Sequence, residues 1–409
     1  MFNKKASLFV LALAATGLAS CGNSGPDLTY WCPNGDNDLM EQLVADFKAS
    51  NAEYSKLNIK VSANYGEGDT YAALHKDLDA AADVILMADN NIRDGVKADE
   101  LAQIDDAAFK KTVSEGAVAA TSIDGKMYGY AYRADNSPMP IYSTETFAKE
   151  PTSFEEILKV AKEKGQKVYF DLGNGWYNPT LLWSGGGEFT INAKGELETN
   201  LSGDVKAKVA KSLEAYKALY NSYKDTWVSS SDNAKIEADF KDKKCAYAFL
   251  WNDLSAIQAG NAKVAVGMWP TIKVDGKDAN MDCFASYKAI VCKNGKDSKR
   301  VELAKKFAAF LASKNSQKKR FDALQHGPSN LELLASKDIQ AAPFIAAIGR
   351  MEEAKRTHGQ ALSTTGDFWD PMANLGGLIT NGKETWGDYA DAGKVIDALV
   401  KNKGWSVKA

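Results

Sequence analysis

Histidine, long apolar runs and an excess of either charge are all scarce in this sequence. Only three histidines occur among 409 residues, at His75, His326 and His358, which argues against a histidine-rich metal centre. Lysine plus arginine number 50 and aspartate plus glutamate 53, for a net charge of -3. Such a balance gives no strongly basic face, so we expect no nucleic-acid partner. The sequence also lacks a GxSxG elbow, an HExxH pair and a P-loop ending in GK[ST], and with them the signatures of several common enzyme classes.

What is present is the composition of an ordinary globular protein. Apolar residues make up 45% and charged residues 25% of the chain, which is typical of a soluble fold. The length predicts two to three domains. After the first twenty residues, no apolar run approaches the roughly 20 residues that a membrane-spanning helix needs.

The N-terminal segment has the pattern of an export signal. Lys4 and Lys5 precede an apolar run over residues 8–18, which is too short to span a bilayer and is typical of a secretory leader. The run ends in Leu-Ala-Ser before Cys21, which resembles a bacterial lipobox. We expect residues 1–20 to be removed, Cys21 to be lipidated and residues 21–27 to form a tether. The alternative is a plain signal peptide followed by a chance cysteine.

Four further cysteines follow the leader, at spacings too wide for a CxxC motif. An exported chain permits disulfides, and four cysteines allow three pairings. The sequence leaves open whether these residues form one or two bridges or remain buried thiols. They are Cys32, Cys245, Cys283 and Cys292.

Strands and helices alternate along the chain. Predicted strands at residues 28–31, 59–63 and 84–87 enclose helices at residues 39–47 and 71–82. This order predicts βαβ units and a mostly parallel sheet, whose ligands bind beyond the carboxyl ends of the strands. The pattern is interrupted at residues 131–142, which read as a crossing between lobes. A second α/β pattern follows from residue 153, and the chain is expected to be helical from about residue 338.

Several short motifs, taken in order, resemble the extracellular solute-binding proteins of ABC importers, the family that includes maltose-binding protein. They are Ala-Asp-Val-Ile at 82–85, Asp-Gly-Lys-Met-Tyr-Gly at 124–129, Ile-Tyr-Ser at 141–143, Pro-Thr-Ser-Phe-Glu-Glu-Ile at 151–157, and the segment 236–246. The resemblance implies an α/β, two-lobe periplasmic-binding-protein-like fold of type II, with a ligand cleft between lobes joined by hinge crossings. It assigns residues 28–134 and 289–338 to the first lobe, and residues 135–288 and 339–409 to the second.

The resemblance also implies a sugar-binding role for four aromatic residues. Sugars present apolar C–H faces and many hydroxyls, so they are bound by flat aromatic rings together with planar polar groups. Trp176, Tyr177, Trp251 and Trp369 match the family's stacking aromatics. The alternative for each is a place in the hydrophobic core.

The polar residues of the first lobe match the family less well. Asp36 matches a family aspartate, although it could instead cap the following helix, and Asn37 replaces a lysine. Met87, Asn90 and Asn91 stand where the maltose-binding pattern has a tryptophan and an Asp-Arg pair.

Two further glutamates of the family pattern are also replaced. The glutamate of the crossing falls near Asp135 or Asn136, and the one before the aromatic pair falls on Asn174. Arg133 and Asp135 are either cleft groups or an ion pair at the hinge. These departures favour a different glucan, or another oligosaccharide, over maltose itself.

The resulting hypothesis is a monomeric, lipid-anchored receptor that captures an oligosaccharide, of the maltodextrin type, and delivers it to ABC permease subunits. It needs no cofactor, metal or catalytic residue, and it touches the membrane, either cell membrane or outer membrane, only through its anchor. One alternative is a glycosidase with paired carboxylates. Others are a surface interaction module, or a receptor of the same fold for another solute. A polyamine would use Asp36, Asp89 and Asp135, and a phosphate ester would use Arg93 and Arg133.

Overall fold

A computed structural model describes residues 25–33, 36–66, 69–192, 196–251, 257–258, 260, 262–359, 366–381 and 386–408. The predicted leader and Cys21 lie outside these residues. The described strands form two large sheets and three small ones. We call each large sheet, with the helices packed on it, a lobe.

The first sheet has the strand order β17-β16-β3-β1-β2, with β6 also paired to β16. Its strands are β1 (Leu28–Pro33), β2 (Ile59–Tyr65), β3 (Val84–Ala88), β6 (Gly129–Asn136), β16 (Cys283–Cys292) and β17 (Thr357–Gly359). β1 runs parallel to β2 and β3, as predicted, whereas β16 runs antiparallel to β3 and β6. The carboxyl ends of β1 and β3 therefore lie at the same edge of this sheet.

Helices cover the first sheet. They are α1 (Asn37–Ser50), α2 (Thr70–Lys76), α3 (Ile92–Lys97), α4 (Ala107–Lys110), α5 (Glu115–Ala120), α10 (Ser298–Leu311), α11 (Lys314–Leu324) and α12 (Leu331–Leu334), with 3₁₀ turns at Ala52–Tyr54 and Asp89–Asn91. In α1, Leu39, Leu43 and Phe47 recur at helical spacing and are buried. Phe47 packs against Phe307 of α10, with ring centroids 4.9 Å apart.

The second sheet has the order β11-β8-β12-β7-β13. Its strands are β7 (Met139–Ser143), β8 (Lys167–Tyr169), β11 (Trp227–Val228), β12 (Cys245–Leu250) and β13 (Val264–Val266). β12 is buried along its whole length, as expected for a central strand covered on both faces. The helices of this lobe are α6 (Phe154–Glu163), α7 (Thr180–Trp183), α8 (Gly203–Tyr223), α9 (Asn233–Lys241), α14 (Pro343–Glu353), α15 (Gly366–Thr380) and α16 (Ala392–Lys403).

Short elements complete the fold. One small sheet joins β18, β10 and β9, and two hairpins pair β4 with β5 and β14 with β15. These strands are β4 (Ser122–Ile123), β5 (Lys126–Met127), β9 (Phe189–Ile191), β10 (Leu197–Thr199), β14 (Thr271–Val274), β15 (Lys277–Asn280) and β18 (Ser406–Val407), and helix α13 spans Lys337–Gln340.

Two sequence-based expectations need correction. Helix α2 ends at Lys76 rather than near residue 82, because Asp77 leaves the helical conformation and its carboxylate accepts a hydrogen bond from the Ala80 N–H. The C-terminal part is not wholly helical, since β17 and β18 lie within it.

The residue ranges assigned to the two lobes stay a prediction. The chain passes between the two large sheets from β6 to β7 and again from β13 to β16.

The structure answers the question about the cysteines. Cys32, Cys245, Cys283 and Cys292 are all buried, free thiols. In the described part of the chain, no helix is long and apolar enough to cross a membrane.

Candidate functional site

Three of the four predicted stacking aromatics lie together in the second lobe. Trp176 and Trp369 are stacked, with ring centroids 4.8 Å apart and planes 11° apart. Trp251 meets Trp176 edge to face at 5.3 Å. All three side chains are partly exposed. Partly exposed indoles held by one another form a rigid apolar surface of the kind that accepts the C–H face of a sugar ring.

The loop that carries Trp176 is fixed to helix α15, which carries Trp369. The amide of Asn178 donates hydrogen bonds to the carbonyls of Leu172 and Met372, each at 2.8 Å. A Cβ on Gly175 would overlap the main-chain carbonyl of Trp369. Glycine at this position therefore allows the loop and the helix to approach closely enough for the two indoles to stack.

Tyr177, the neighbour of Trp176, lies elsewhere. Its side chain is 1% exposed, its ring meets Phe170 edge to face at 5.7 Å, and its hydroxyl donates to the Phe249 carbonyl at 3.4 Å. The structure therefore places Tyr177 in the hydrophobic core, which was the alternative to a sugar-binding role. Asn174 is partly exposed, and its side-chain oxygen accepts a hydrogen bond from the backbone N–H of Trp176 at 3.0 Å. Asn174 therefore helps to hold the conformation of the loop.

Residues that the sequence did not single out extend the aromatic cluster. Phe284 of β16 contacts Trp176, Trp369 and Trp183, with centroid distances of 5.4, 5.2 and 4.9 Å. Trp183 stacks on His358 of β17 at 3.9 Å and 9°. Phe284 and His358 are paired residues in the β16–β17 ladder, so they lie side by side on neighbouring strands. No local sequence pattern could have indicated these contacts, because they join segments far apart in the chain.

Asp36 and Asn37 lie where β1 leads into α1. Asp36 is buried, with 7% of its surface exposed, and is the N-terminal cap residue of α1 by position. Its side chain makes no capping hydrogen bond to the helix, so the capping alternative does not account for this carboxylate. Asn37 is exposed.

Asn90 and Asn91 lie in the 3₁₀ turn at the carboxyl end of β3. Both are partly exposed, and the Asn90 amide donates to the side-chain oxygen of Asn91 at 3.3 Å. The preceding residue, Asp89, is 1% exposed and accepts a hydrogen bond from the Tyr287 N–H at 2.9 Å. Burial raises the pKa of Asp89 to about 7.

Asp135 is held by hydrogen bonds near the end of β6. One of its carboxylate oxygens accepts from the Arg133 guanidinium at 2.5 Å, and the other accepts from the Gly327 N–H at 2.7 Å. The Ala134 N–H also donates to the Gly327 carbonyl, at 2.9 Å. These bonds tie the end of β6 to the segment between α11 and α12. Asp135, at 5% exposure, is thus held in a crossing segment.

The structure therefore brings Trp176, Trp251 and Trp369 together and places Asp36, Asn90 and Asn91 at strand ends of the other lobe. The arrangement can stack a ligand on indoles and offer it neutral amides and a carboxylate. Among the described residues, no group of three or more histidine, cysteine or acidic side chains is arranged to hold a metal ion.

Comparison with known proteins identifies the family and the fold. A family model for bacterial extracellular solute-binding proteins matches residues 42–347. A search of curated proteins gives no match.

Solved structures with the same fold cover almost the whole chain. The maltodextrin-binding protein MalE1 from L. casei BL23, without ligand, superposes with a TM-score of 0.79 at 19% identity, over 93% of this chain and 99% of that one. A cyclo/maltodextrin-binding protein complexed with maltotetraose gives a TM-score of 0.74 at 20% identity, over 94% and 98%. The maltose-binding protein MalE from Listeria monocytogenes, in complex with maltose, gives 0.73 at 20% identity, over 92% and 98%.

Proposed function

The chain belongs to the family of bacterial extracellular solute-binding proteins, and from this premise we propose that it captures an oligosaccharide, of the maltodextrin type, between its two lobes. The observation that carries the proposal is the partly exposed cluster of Trp176, Trp251 and Trp369. Solved structures of the same fold include complexes with maltotetraose and with maltose. The family is extracellular, so the chain functions outside the cytoplasm.

The proposed mechanism uses the two lobes differently. The ligand first stacks on the second-lobe indoles, whose apolar faces match the C–H faces of a glucose ring. Closure then brings Asp36, Asn90 and Asn91 from the first lobe within hydrogen-bonding reach of its hydroxyls. The closed form delivers the sugar to ABC permease subunits, and it binds the sugar without turning it over.

The choice of sugar follows from the first-lobe residues. Met87, Asn90 and Asn91 provide no indole and no guanidinium at the end of β3. A disaccharide that stacks only on the second lobe buries less surface than a longer chain. We therefore propose maltotriose or longer maltodextrins, rather than maltose, as the preferred ligands.

A polyamine has less support. Two of the three carboxylates that it would use, Asp89 and Asp135, already accept hydrogen bonds from the protein backbone. A polyamine is nevertheless included among the ligands to be tested, because it differs from a sugar in charge.

Calorimetric titration of the chain from residue 23 onward tests the proposal. The ligands are maltose, maltotriose, maltohexaose, a β-linked glucan trisaccharide and spermidine. We expect saturable binding of maltotriose and maltohexaose, with weaker binding of maltose. Binding of only the β-linked sugar or only spermidine would overturn the choice of ligand, and release of glucose from any of the sugars would overturn the binding-only mechanism.

Substitution of the indoles tests the site itself. Trp251→Ala and Trp369→Ala should each weaken maltotriose binding by about 1–3 kcal/mol, as for other anchoring aromatics. Tyr128→Ala is the control, because Tyr128 is a partly exposed aromatic of the first lobe that packs on a different cluster. Unchanged affinity in both tryptophan variants, with the fold intact by circular dichroism, would remove the indoles from the site.

The lipid anchor is a separate part of the proposal. The lipobox-like sequence before Cys21 supports acylation of that thiol. In cells, the full chain should fractionate with membranes, and Cys21→Ser should release it to the soluble fraction. If the unmodified chain and Cys21→Ser both fractionate with membranes, or if both are soluble, anchoring through Cys21 is contradicted.

A further inference from the structure

Tyr287, in the middle of β16, contacts both lobes. Its backbone N–H donates to the Asp89 carboxylate at 2.9 Å. Its hydroxyl donates to Glu352 of α14 at 3.0 Å and lies 3.2 Å from the Ser114 hydroxyl, which caps α5. The side chain is 5% exposed. A single residue thus connects the turn after β3 with a helix of the second lobe.

Asp89 continues the β3–β16 ladder with its side chain. The last main-chain pair of this ladder is Ala88 with Lys288. One residue further, the Asp89 carboxylate replaces a backbone carbonyl as the acceptor for the Tyr287 N–H. The next two residues are Asn90 and Asn91, whose side chains bond to each other. The bond between Asp89 and Tyr287 thus holds the residue that directly precedes this amide pair.

We infer that Asp89 and Tyr287 are positioning residues for ligand capture. Asp89 fixes the Asn90–Asn91 turn, and Tyr287 links that turn to the second lobe through Glu352. This inference rests on the proposed function, because it assumes that the two amides bind the ligand. Neither Asp89 nor Tyr287 touches the ligand in this account.

The hydrogen-bonded link between Tyr287 and Glu352 has space to rearrange when the lobes move. A cavity of about 410 Å³ lies against its side chain. The cavity is lined from the first lobe by Arg93 and Gly116, and from the second-lobe side by Ile191. A tyrosine that borders an open cavity can shift with the helix it is bonded to, whereas a fully packed one cannot.

The charges around the two carboxylates define a pH test. Burial raises the pKa of Asp89, while the Tyr287 N–H, Lys288 and the N–H groups of Asn90 and Asp89 oppose that rise. Burial also raises the pKa of Glu352, and the Tyr287 hydroxyl opposes it. Arg93 lines the same cavity as Tyr287. An ionised Asp89 accepts the Tyr287 hydrogen bond more strongly than a neutral one, so the turn is held best above neutral pH.

The consequence is a pH-dependent affinity. Between pH 6 and pH 8, binding of maltotriose by the unmodified protein should tighten about 3- to 10-fold, since a charge-assisted hydrogen bond is roughly twice as strong as a neutral one. Asp89→Asn keeps an acceptor oxygen but cannot ionise. It should bind with the weaker affinity at both pH values. A purely structural role for Asp89 would lower the melting temperature without removing the pH dependence of affinity.

Calorimetric titration with maltotriose at pH 6, 7 and 8 is the direct experiment. The variants are Asp89→Asn, Tyr287→Phe, which removes only the hydroxyl link to Glu352, and Asp94→Asn, a control with the same chemical change on the adjacent helix. We expect the affinity of Asp89→Asn to be independent of pH. Tyr287→Phe should bind more weakly but keep the pH dependence of affinity. Asp94→Asn should match the unmodified protein. Retention of the full pH dependence by Asp89→Asn would overturn the inference.

Hydrogen exchange of the ligand-free protein separates this inference from the proposed function. At pH 8, Asp89→Asn should raise amide exchange in residues 88–92 and leave β12 unchanged. If maltotriose fails to bind any variant, the proposed function fails, and the exchange result decides the positioning role by itself. Equal exchange in the variant and the unmodified protein would refute that role.

Discussion

The indole rings of Trp176 and Trp369 stack face to face, with centroids 4.8 Å apart and planes only 11° apart. Each ring therefore covers one face of the other, and both side chains stay partly exposed. Phe284 meets both rings edge to face, at 5.4 and 5.2 Å, and supports the pair from the β16 side. The two indoles are thus expected to act as one surface and not as two independent anchors.

A double-mutant cycle tests this coupling. Trp176→Ala and Trp369→Ala should be non-additive in maltotriose affinity, with an interaction energy of about 0.5–1.5 kcal/mol, because each substitution removes the support of the other ring. The control cycle pairs Trp369→Ala with Tyr128→Ala, which lies in a separate cluster of the first lobe. Additive effects in both cycles would mean that the stacked pair does not bind as a unit.

Two adjacent glycines of α15 offer a matched test of the close contact below the indoles. A Cβ on Gly376 would overlap the Leu172 carbonyl and approach the Asn178 amide, whereas a Cβ on Gly377 would meet nothing within 4 Å. Gly376→Ala should destabilise the fold by about 1–3 kcal/mol through overpacking and should weaken sugar binding by displacing the loop. Gly377→Ala should be neutral or stabilise the helix by up to about 1 kcal/mol.

Thermal unfolding and titration of both variants measure the difference. Similar stability for Gly376→Ala and Gly377→Ala would show that the loop and the helix can separate without cost.

The sequence predicted the sheets and the indole cluster better than it predicted the direction of single side chains. Alternating strands and helices indicated the α/β lobes, because apolar periodicity is local. The resemblance selected Trp176 and Tyr177 together, yet adjacent residues in a loop point in different directions once the loop is fixed. Asn178 and Gly175 determine that direction through contacts with α15. These contacts join residues about 190 positions apart, so no local pattern carries them.

The contribution of Phe284 and His358 was missed for a related reason. β17 has only three residues, and such a short segment shows no period. Its position follows from parallel pairing with β16. Arg133 and Asp135 were left between two roles by the sequence, since a charge pair reads the same in a cleft and in a hinge. The structure shows the pair and a further hydrogen bond from the Gly327 N–H to Asp135, and the choice between the two roles stays a prediction.

The four buried cysteines should be unreactive in the folded protein. Burial raises the pKa of Cys32, Cys283 and Cys292 to about 12, and that of Cys245 well above its usual value. Only the thiolate reacts with aromatic disulfide reagents. In the chain from residue 23 onward, such a reagent at pH 8 should modify no thiol before unfolding and four after it. Fast modification of the native protein would indicate that at least one of these thiols is accessible.

The ion pair between Asp83 and Arg300 should make the first lobe sensitive to acid. Two guanidinium nitrogens of Arg300 donate to the two carboxylate oxygens of Asp83, each at 2.7 Å, and Thr29 donates to the same carboxylate from its N–H and its hydroxyl. Burial by itself raises the pKa of Asp83, but the hydrogen bonds from Arg300 and Thr29 outweigh it and hold the pKa below its usual value. A carboxylate whose pKa is lowered by folding stabilises the fold at neutral pH, and this stabilisation is lost as the pH falls through the folded-state value.

Arg300→Met should therefore lower the free energy of unfolding at pH 7 by about 1–3 kcal/mol. This is less than for a fully buried pair, because the Arg300 side chain is 38% exposed. The variant should also unfold at a higher pH on acidification, since Asp83 then keeps its burial but loses its cation. Lys211→Met, which breaks an exposed pair with Asp275, is the matched control and should leave the stability nearly unchanged. Urea unfolding at pH 7 and at pH 4 measures both effects. Equal losses in the two variants would mean that the bidentate geometry at Asp83 adds nothing beyond an ordinary surface ion pair.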